Sequence, residues 1–176
     1  MRIKDIVLIG MLSALLIAVK EVLAFLPNIE LVSLLIILFS LLLHKKTLLI
    51  ISIFVLLECF IYGFGLWLIN YFYIWFILYF IVRIFKRDQS AFHWAVISGA
   101  FGLTFGALCS IPYLFMGWIN GSFLTGVQSA IAYWITGIPF DIIHGISNFF
   151  ITLFLFKPLY KNLNKVITKE IYIEKD

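Results

Sequence analysis

The sequence predicts an all-α integral membrane protein of six transmembrane helices with both termini in the cytoplasm. Three observations carry that prediction. Hydrophobic residues make up 64% of the 176-residue chain and charged residues only 12%. Mean hydropathy is +1.11, more apolar than a soluble domain can bury. The Lys and Arg residues fall in clusters that punctuate long apolar runs. Nearly all of residues 1–176 is consumed by spans, so the chain reads as a single membrane domain without a soluble catalytic one.

A spanning helix needs about 20 apolar residues. The first span is predicted at about 5–26, ended by Pro27. It follows a basic start and lacks the usual small-residue cleavage site, so it is expected to be retained rather than removed as a signal peptide. The second, at about 29–43, is short and stops at His44-Lys45-Lys46. The third, about 47–62, ends at the glycines of YGFG, and the fourth, about 66–85, ends at RIFKRD. The fifth is placed at about 92–116 and the sixth at about 137–160. Between them MGWINGSFLTGVQSAIAYWITG reads as a long uncharged loop, 117–136, with a short interfacial helix at 123–134. The tail, KNLNKVITKEIYIEKD, reads as a frayed amphipathic helix.

Charge sets the predicted orientation. Arg2 and Lys4 precede span one, and Lys45 and Lys46 separate spans two and three. Arg83, Lys86 and Arg87 separate spans four and five, and Lys157, Lys161, Lys165, Lys169 and Lys175 close the chain. The opposite connections, 27–30, 62–66 and 117–136, hold no Lys or Arg. The positive-inside rule therefore puts both ends in the cytoplasm. Of the thirteen basic residues only Lys20 lies outside these clusters, within span one, so the net charge of +4 is membrane topology and not a nucleic-acid footprint.

With that orientation, the polar residues inside the spans converge on one depth. Lys20 and Glu21 lie near the outer end of span one, and Glu30 opens span two. Glu58 lies in the outer third of span three, and Asn70 and Tyr71 in the outer half of span four. Asp141, His144 and Asn148 occupy the outer half of span six. A charge near the bilayer centre costs at least about 2.5 kcal/mol, so its repetition at one depth predicts an outward-facing polar cavity. At about 100° per residue, Asp141, His144, Asn148 and Thr152 share one stripe, and Trp67, Asn70, Tyr71 and Trp75 share another. Aromatic walls with a few convergent polar groups suit a heterocyclic ligand. The predicted ligand contacts are Lys20, Glu58, Trp67, Asn70, Tyr71, Trp134, Asp141, His144 and Asn148.

Each has a plainer explanation. Pro139 suits the first turn of a helix, which would place Asp141 near a positive dipole end. His144 could bond Asp141 or a carbonyl in the packing, and Asn148 could make an interhelical hydrogen bond. Glu58 and Lys20 could form a structural pair, while Glu21 and Glu30 lie near enough to the interface to be solvated. Trp67 and Trp134 fit an aromatic belt. Cys59 and Cys109 read as small apolar residues of the bundle. No metal-ligand motif is present, nor a Gly-x-Ser-x-Gly or His-Glu-x-x-His pattern, so neither metal nor catalytic residues are expected.

Small residues mark two helix faces. Gly10, Ala14 and Ala18 recur at four-residue spacing on span one; Ser98, Gly99, Gly102, Gly106 and Ala107 lie on span five. Such faces let another helix approach closely, either within the bundle or from a separate membrane protein.

These features together resemble the substrate-binding S-component of an energy-coupling factor (ECF) vitamin transporter. The likeness is carried by GMLSALLIA on helix one, VKEVLAFLPNIELVSLLIIL, ECFIYGFGLW and YWITGIPFDIIHGISNFFITLFLFKPLYKNL, and spans essentially the whole chain. It implies capture of a scarce micronutrient at a prokaryotic plasma membrane. It implies docking on a transmembrane coupling protein with two ATP-hydrolysing subunits, followed by toppling of the loaded chain in the bilayer. Gly10, Ala14 and Ala18 would meet the coupling protein, with Gly10 standing where the family has alanine. No nucleotide-binding motif is present, so ATP hydrolysis is expected in the partners, with no cofactor bound here and no enzyme activity of its own. The loop 117–136 would cap the occupied pocket.

Acids outnumber bases around the predicted pocket: Glu21, Glu30, Glu58 and Asp141 against Lys20 and His144. The expected ligand is therefore a neutral or cationic nitrogen heterocycle of cobalamin, pyridoxine, thiamine or queuine type. Two other classes compete: an intramembrane enzyme acting on a lipid or isoprenoid, and a structural or assembly protein whose polar residues affect folding alone.

Overall fold

Seven helices, α1 to α7, make up nearly all of the computed structural model, which describes residues 2–86 and 90–172, with side chains as far as Ile167. Of the basic residues counted above, Arg87, Lys175 and the side chain of Lys169 lie outside the described part. The helices are α1 (Ile3–Leu23), α2 (Val32–Leu42), α3 (Lys46–Tyr62), α4 (Leu66–Phe85), α5 (Ala91–Cys109), α6 (Ile111–Asn120) and α7 (Phe123–Tyr172), with no strand among the described residues. Among the described residues four segments are long and apolar enough to cross a membrane: Ile3–Leu23, Leu66–Phe85, Ala91–Asn120 and Phe123–Ile167. Large apolar side chains cover the outside, among them Phe60, Phe64 and Ile119, each at least four-fifths exposed. A surface of that kind calls for an apolar surrounding.

The centre is α2. Every residue from Val32 to Ser40 is buried, because α1, α3, α4, α5 and α7 all pack around it. Its 11 residues reach about 16 Å, roughly half the hydrocarbon thickness. The predicted second span, 29–43, is therefore a buried half-length helix that starts only at Val32. The chain reaches it through a turn in which Asn28 takes a left-handed conformation (φ 61), one that Asn tolerates. Gly63 ends α3 with φ 73, a conformation open to glycine.

The predicted loop 117–136 is helical except for Gly121 and Ser122. α5 breaks at Ser110, Pro112 fits the first turn of α6, and α6 then doubles back into α7. Ser122 starts α7 by accepting the Thr125 amide at 3.2 Å on its hydroxyl. The α6–α7 hairpin packs at Gly117 and Gly126, where a Cβ on Gly117 would lie 2.7 Å from the Gly126 Cα. Neither the interfacial-helix end at 134 nor the span start at 137 is a boundary, because α7 runs through both. Pro139 and Pro158 lie in its interior, so Pro139 does not mark a first turn. The dipole explanation for Asp141 falls with it.

Of the two small-residue faces, that on α5 is used inside the bundle. A Cβ on Gly102 would lie 2.8 Å from the Gly145 nitrogen, and one on Gly99 3.1 Å from the Phe149 Cβ. α5 and α7 thus pack backbone to backbone. Gly10, Ala14 and Ala18 on α1 are all exposed, and nothing lies within 4 Å of a Cβ built on Gly10.

The two ends of the bundle differ. At one, Arg2, Lys4 and Lys46 share a notch with Ile167 of α7, which brings both ends of the described chain to the same face. The Arg83 guanidinium also lies there, 2.9 Å from the His44 ring at the α2–α3 turn. The other end gathers the acids.

Candidate ligand-binding site

The C-terminal ends of α1 and α3 meet beside the turn that leads into α2. Lys20 on α1 pairs with Glu58 on α3, whose side chain is fully buried. The Lys20 ammonium also lies 4.3 Å from the Tyr62 ring centroid and 5.6 Å from that of Tyr71. It is held by one carboxylate and two aromatic faces, which offsets the cost of placing it in an apolar bundle. Glu58 Oε1, facing away from the pair, has no hydrogen-bond partner. Glu21 turns outward and accepts from the Tyr62 hydroxyl at 2.7 Å.

Glu30 ties three elements together. Its Oε2 accepts the Ser33 amide at 2.8 Å, satisfying one orphan donor at the start of α2. Its Oε1 lies 3.2 Å from His144 Nε2 on α7. The α1–α2 turn is fixed to α7 a second time, because the Ser147 hydroxyl donates to the Asn28 carbonyl at 2.9 Å. His144 therefore meets Glu30, where the plainer reading of the sequence has it bonding Asp141 or a carbonyl. Its ring meets Phe105 edge-on at 4.9 Å.

These groups enclose a chamber of about 120 Å³ lined by Lys20, Asn28, Glu30, Tyr71, Trp75, Phe105 and His144. Trp75 is almost fully buried, and its indole N–H has no acceptor. A second, more open chamber of about 410 Å³ adjoins it, sharing Asn28 and Phe105 as walls. Cys109, Tyr133, Thr136 and Asp141 line this one. Asp141 Oδ1 accepts the Gly106 amide at 2.9 Å, while its Oδ2 is buried without a partner. Each chamber thus has in its wall a residue with one buried, unpaired polar atom, the indole nitrogen of Trp75 in the first and Oδ2 of Asp141 in the second.

The sequence-predicted residues divide between lining and support. Lys20, Tyr71 and His144 line the first chamber, and Asp141 lines the second. Glu58 stands behind Lys20. Trp67 lines neither; it stacks edge-on against Tyr71 at 5.3 Å, and Tyr71 against Trp75 at 5.6 Å. Asn70 is buried with its Oδ1 2.9 Å from the Tyr73 hydroxyl, which donates to the Leu108 carbonyl at 2.6 Å. Asn148 is buried and lines neither chamber, and Trp134 is 43% exposed outside both. The helix turn explains Trp134: its neighbour Tyr133 faces inward instead, stacked on Tyr113 at 4.1 Å.

Asn28, Phe105 and Tyr133 are wall residues that sequence reasoning passed over. Asn28 carried one signal, a turn-forming residue directly after Pro27. Phe105 and Tyr133 carried none, since one aromatic side chain among many does not announce its direction. No family model, curated protein or solved structure matches the chain.

Proposed function

We propose that this chain is the substrate-binding subunit of an ECF-type importer, a six-span membrane protein with both termini in the cytoplasm that captures a vitamin-like heterocycle from outside. The observation that carries the reading is the double chamber at the acid-rich end. Its aromatic walls, Tyr71, Trp75 and Phe105, suit a flat ring, and its unused polar atoms ask for both an acceptor and a donor. Because Lys20 itself lines the chamber and balances Glu58, the surplus of acid no longer argues for a cation. A neutral nitrogen heterocycle accepting from Trp75 and donating to Asp141 fits best. The exposed face of Gly10, Ala14 and Ala18 is where a coupling protein would dock, with ATP hydrolysis in its two partner subunits.

The α6–α7 hairpin takes the place of a capping loop. Tyr133 and Thr136 carry its wall over the second chamber, so its displacement would open that chamber. The test is native mass spectrometry of the purified chain, then denaturation and identification of any small molecule released. A released heterocycle, lost from Asp141→Asn and His144→Ala chains that still fold, supports the reading. A folded chain that stays empty after a panel of vitamins sinks it.

The Lys20–Glu58 and Glu30–His144 pairs favour a second reading, in which the polar groups only hold the bundle together. That reading predicts loss of stability in the same variants with no ligand ever bound.

A further inference from the structure

The two chambers differ in size and in chemistry, and two residues stand between them. The first, at about 120 Å³, is of the order of the roughly 150 Å³ cavity that holds one benzene, so it has room for a single ring. Tyr71 and Trp75 give that ring aromatic surface, and Lys20 and Glu30 stand at its edge. The second, at about 410 Å³, is lined instead by a phenol, a hydroxyl and a carboxylate, those of Tyr133, Thr136 and Asp141. Walls of that kind suit alcohol groups, which both donate and accept. A phosphate there would be set against Asp141.

Asn28 and Phe105 line both chambers. The Phe105 ring is held by His144, edge-on at 4.9 Å, and by Trp75 at 5.9 Å. Asn28 is held by its backbone: φ is 61, and its carbonyl accepts from the Ser147 hydroxyl at 2.9 Å. Its side-chain amide, half-buried at the junction, makes no hydrogen bond among the described residues. The Tyr133 hydroxyl makes none either. Glycine would serve the left-handed turn as well, so the amide is what asparagine adds there. We propose that Asn28 is a ligand-binding residue, and that its ligand is a single-ring nitrogen heterocycle joined to an uncharged hydroxylated part, the chemistry of a pyrimidine nucleoside. The ring lies in the first chamber and the hydroxylated part in the second, and the Asn28 amide bonds the ligand where the two join. The inference rests on the reading of these chambers as a ligand site and names the class of molecule they hold.

The full-length chain in detergent is titrated with uridine, uracil, adenosine and uridine monophosphate and read by native mass spectrometry. Uridine should bind at least about tenfold more tightly than uracil, which leaves the second chamber empty. Adenosine, with two fused rings in its base, and uridine monophosphate, with a phosphate facing Asp141, should both bind more weakly than uridine. Asn28→Gly keeps the turn, so the chain should unfold at the same temperature while uridine affinity falls about fivefold or more. Tyr133→Phe should lower uridine affinity about fivefold and leave uracil unchanged, a split that a purely structural role would not produce. Uracil bound as tightly as uridine, or uridine binding indifferent to both variants, would overturn the inference. If uridine fails to bind while a heterocycle from the vitamin panel does, the inference falls and the importer reading stands. If the folded chain binds neither, both fall.

Discussion

Lys20 shows how one residue can be both wall and partner. It lines the first chamber while its charge is answered by Glu58, which has no exposure at all. Lys20→Met strands that carboxylate, so the variant should lose about 3 kcal/mol of stability in detergent unfolding. Lys20→Met with Glu58→Leu should recover most of the loss, since removing both members of a buried pair costs far less than removing one. If the double variant is no more stable than the single one, the pair is not what makes Lys20 matter. Asp141 makes the complementary case. Asp141→Asn keeps an oxygen for the Gly106 amide, so folding should persist, but the free acceptor is lost. Ligand affinity should fall about tenfold or more, the worth of a hydrogen bond to a charged group, with unfolding temperature nearly unchanged. At this scale the sequence was informative about which residues are costly, since Asp141 and His144 stand out in any apolar run. It was silent on pairing: Glu30 and His144 are 114 positions apart, and no local pattern joins them.

Between elements, glycine decides how close two helices lie. A Cβ on Gly102 would sit 2.8 Å from the Gly145 nitrogen and 2.9 Å from the His144 carbonyl carbon. Gly102→Val should therefore force α5 and α7 apart, cost about 1–3 kcal/mol, and shift His144 from Glu30. A Cβ on Gly10 meets nothing within 4 Å, so Gly10→Val should leave unfolding nearly unchanged. If it nevertheless abolishes uptake in cells while ligand binding survives, the α1 face serves a partner; normal uptake removes that role. The α5 stripe and the α1 stripe look alike in sequence. What separates them is whether a partner helix is present, and spacing carries no such information. The stretch 117–136 was misjudged for a related reason. It lacks charge and contains scattered glycines, features of both a loop and a helix packed against another helix. Gly117 and Gly126 meet across the hairpin, so their role depends on a neighbour that folds back from further along the chain.

For the whole molecule, apolar composition made the helical class and the membrane setting legible, because hydrophobic content does not depend on who contacts whom. The helix lengths were less so, since α2 is apolar enough to look like a full-length span and is only 11 residues long. Orientation is open to direct labelling. Cysteines placed at Lys4 and Lys165 should both react with an impermeant maleimide only when the cytoplasmic face is exposed, and one at Ser122 only from outside. Native Cys59 and Cys109 are buried and should stay silent. Labelling of Lys4 and Lys165 from opposite faces would refute the proposed topology.

The enclosed position of α2 also governs the order in which the protein can be made. Its neighbours α3, α4, α5 and α7 all emerge from the ribosome after it, and His144 and Ser147, which hold the turn at its head, come with the last of them. Until α7 arrives, a half-length helix waits among lipids with the carboxylate of Glu30 at its head and no imidazole to meet it. A chain cut short before α7 would present that unanswered acid to the quality-control proteases of the membrane. The first half of the protein therefore reaches its final pairing only when the last helix is in place.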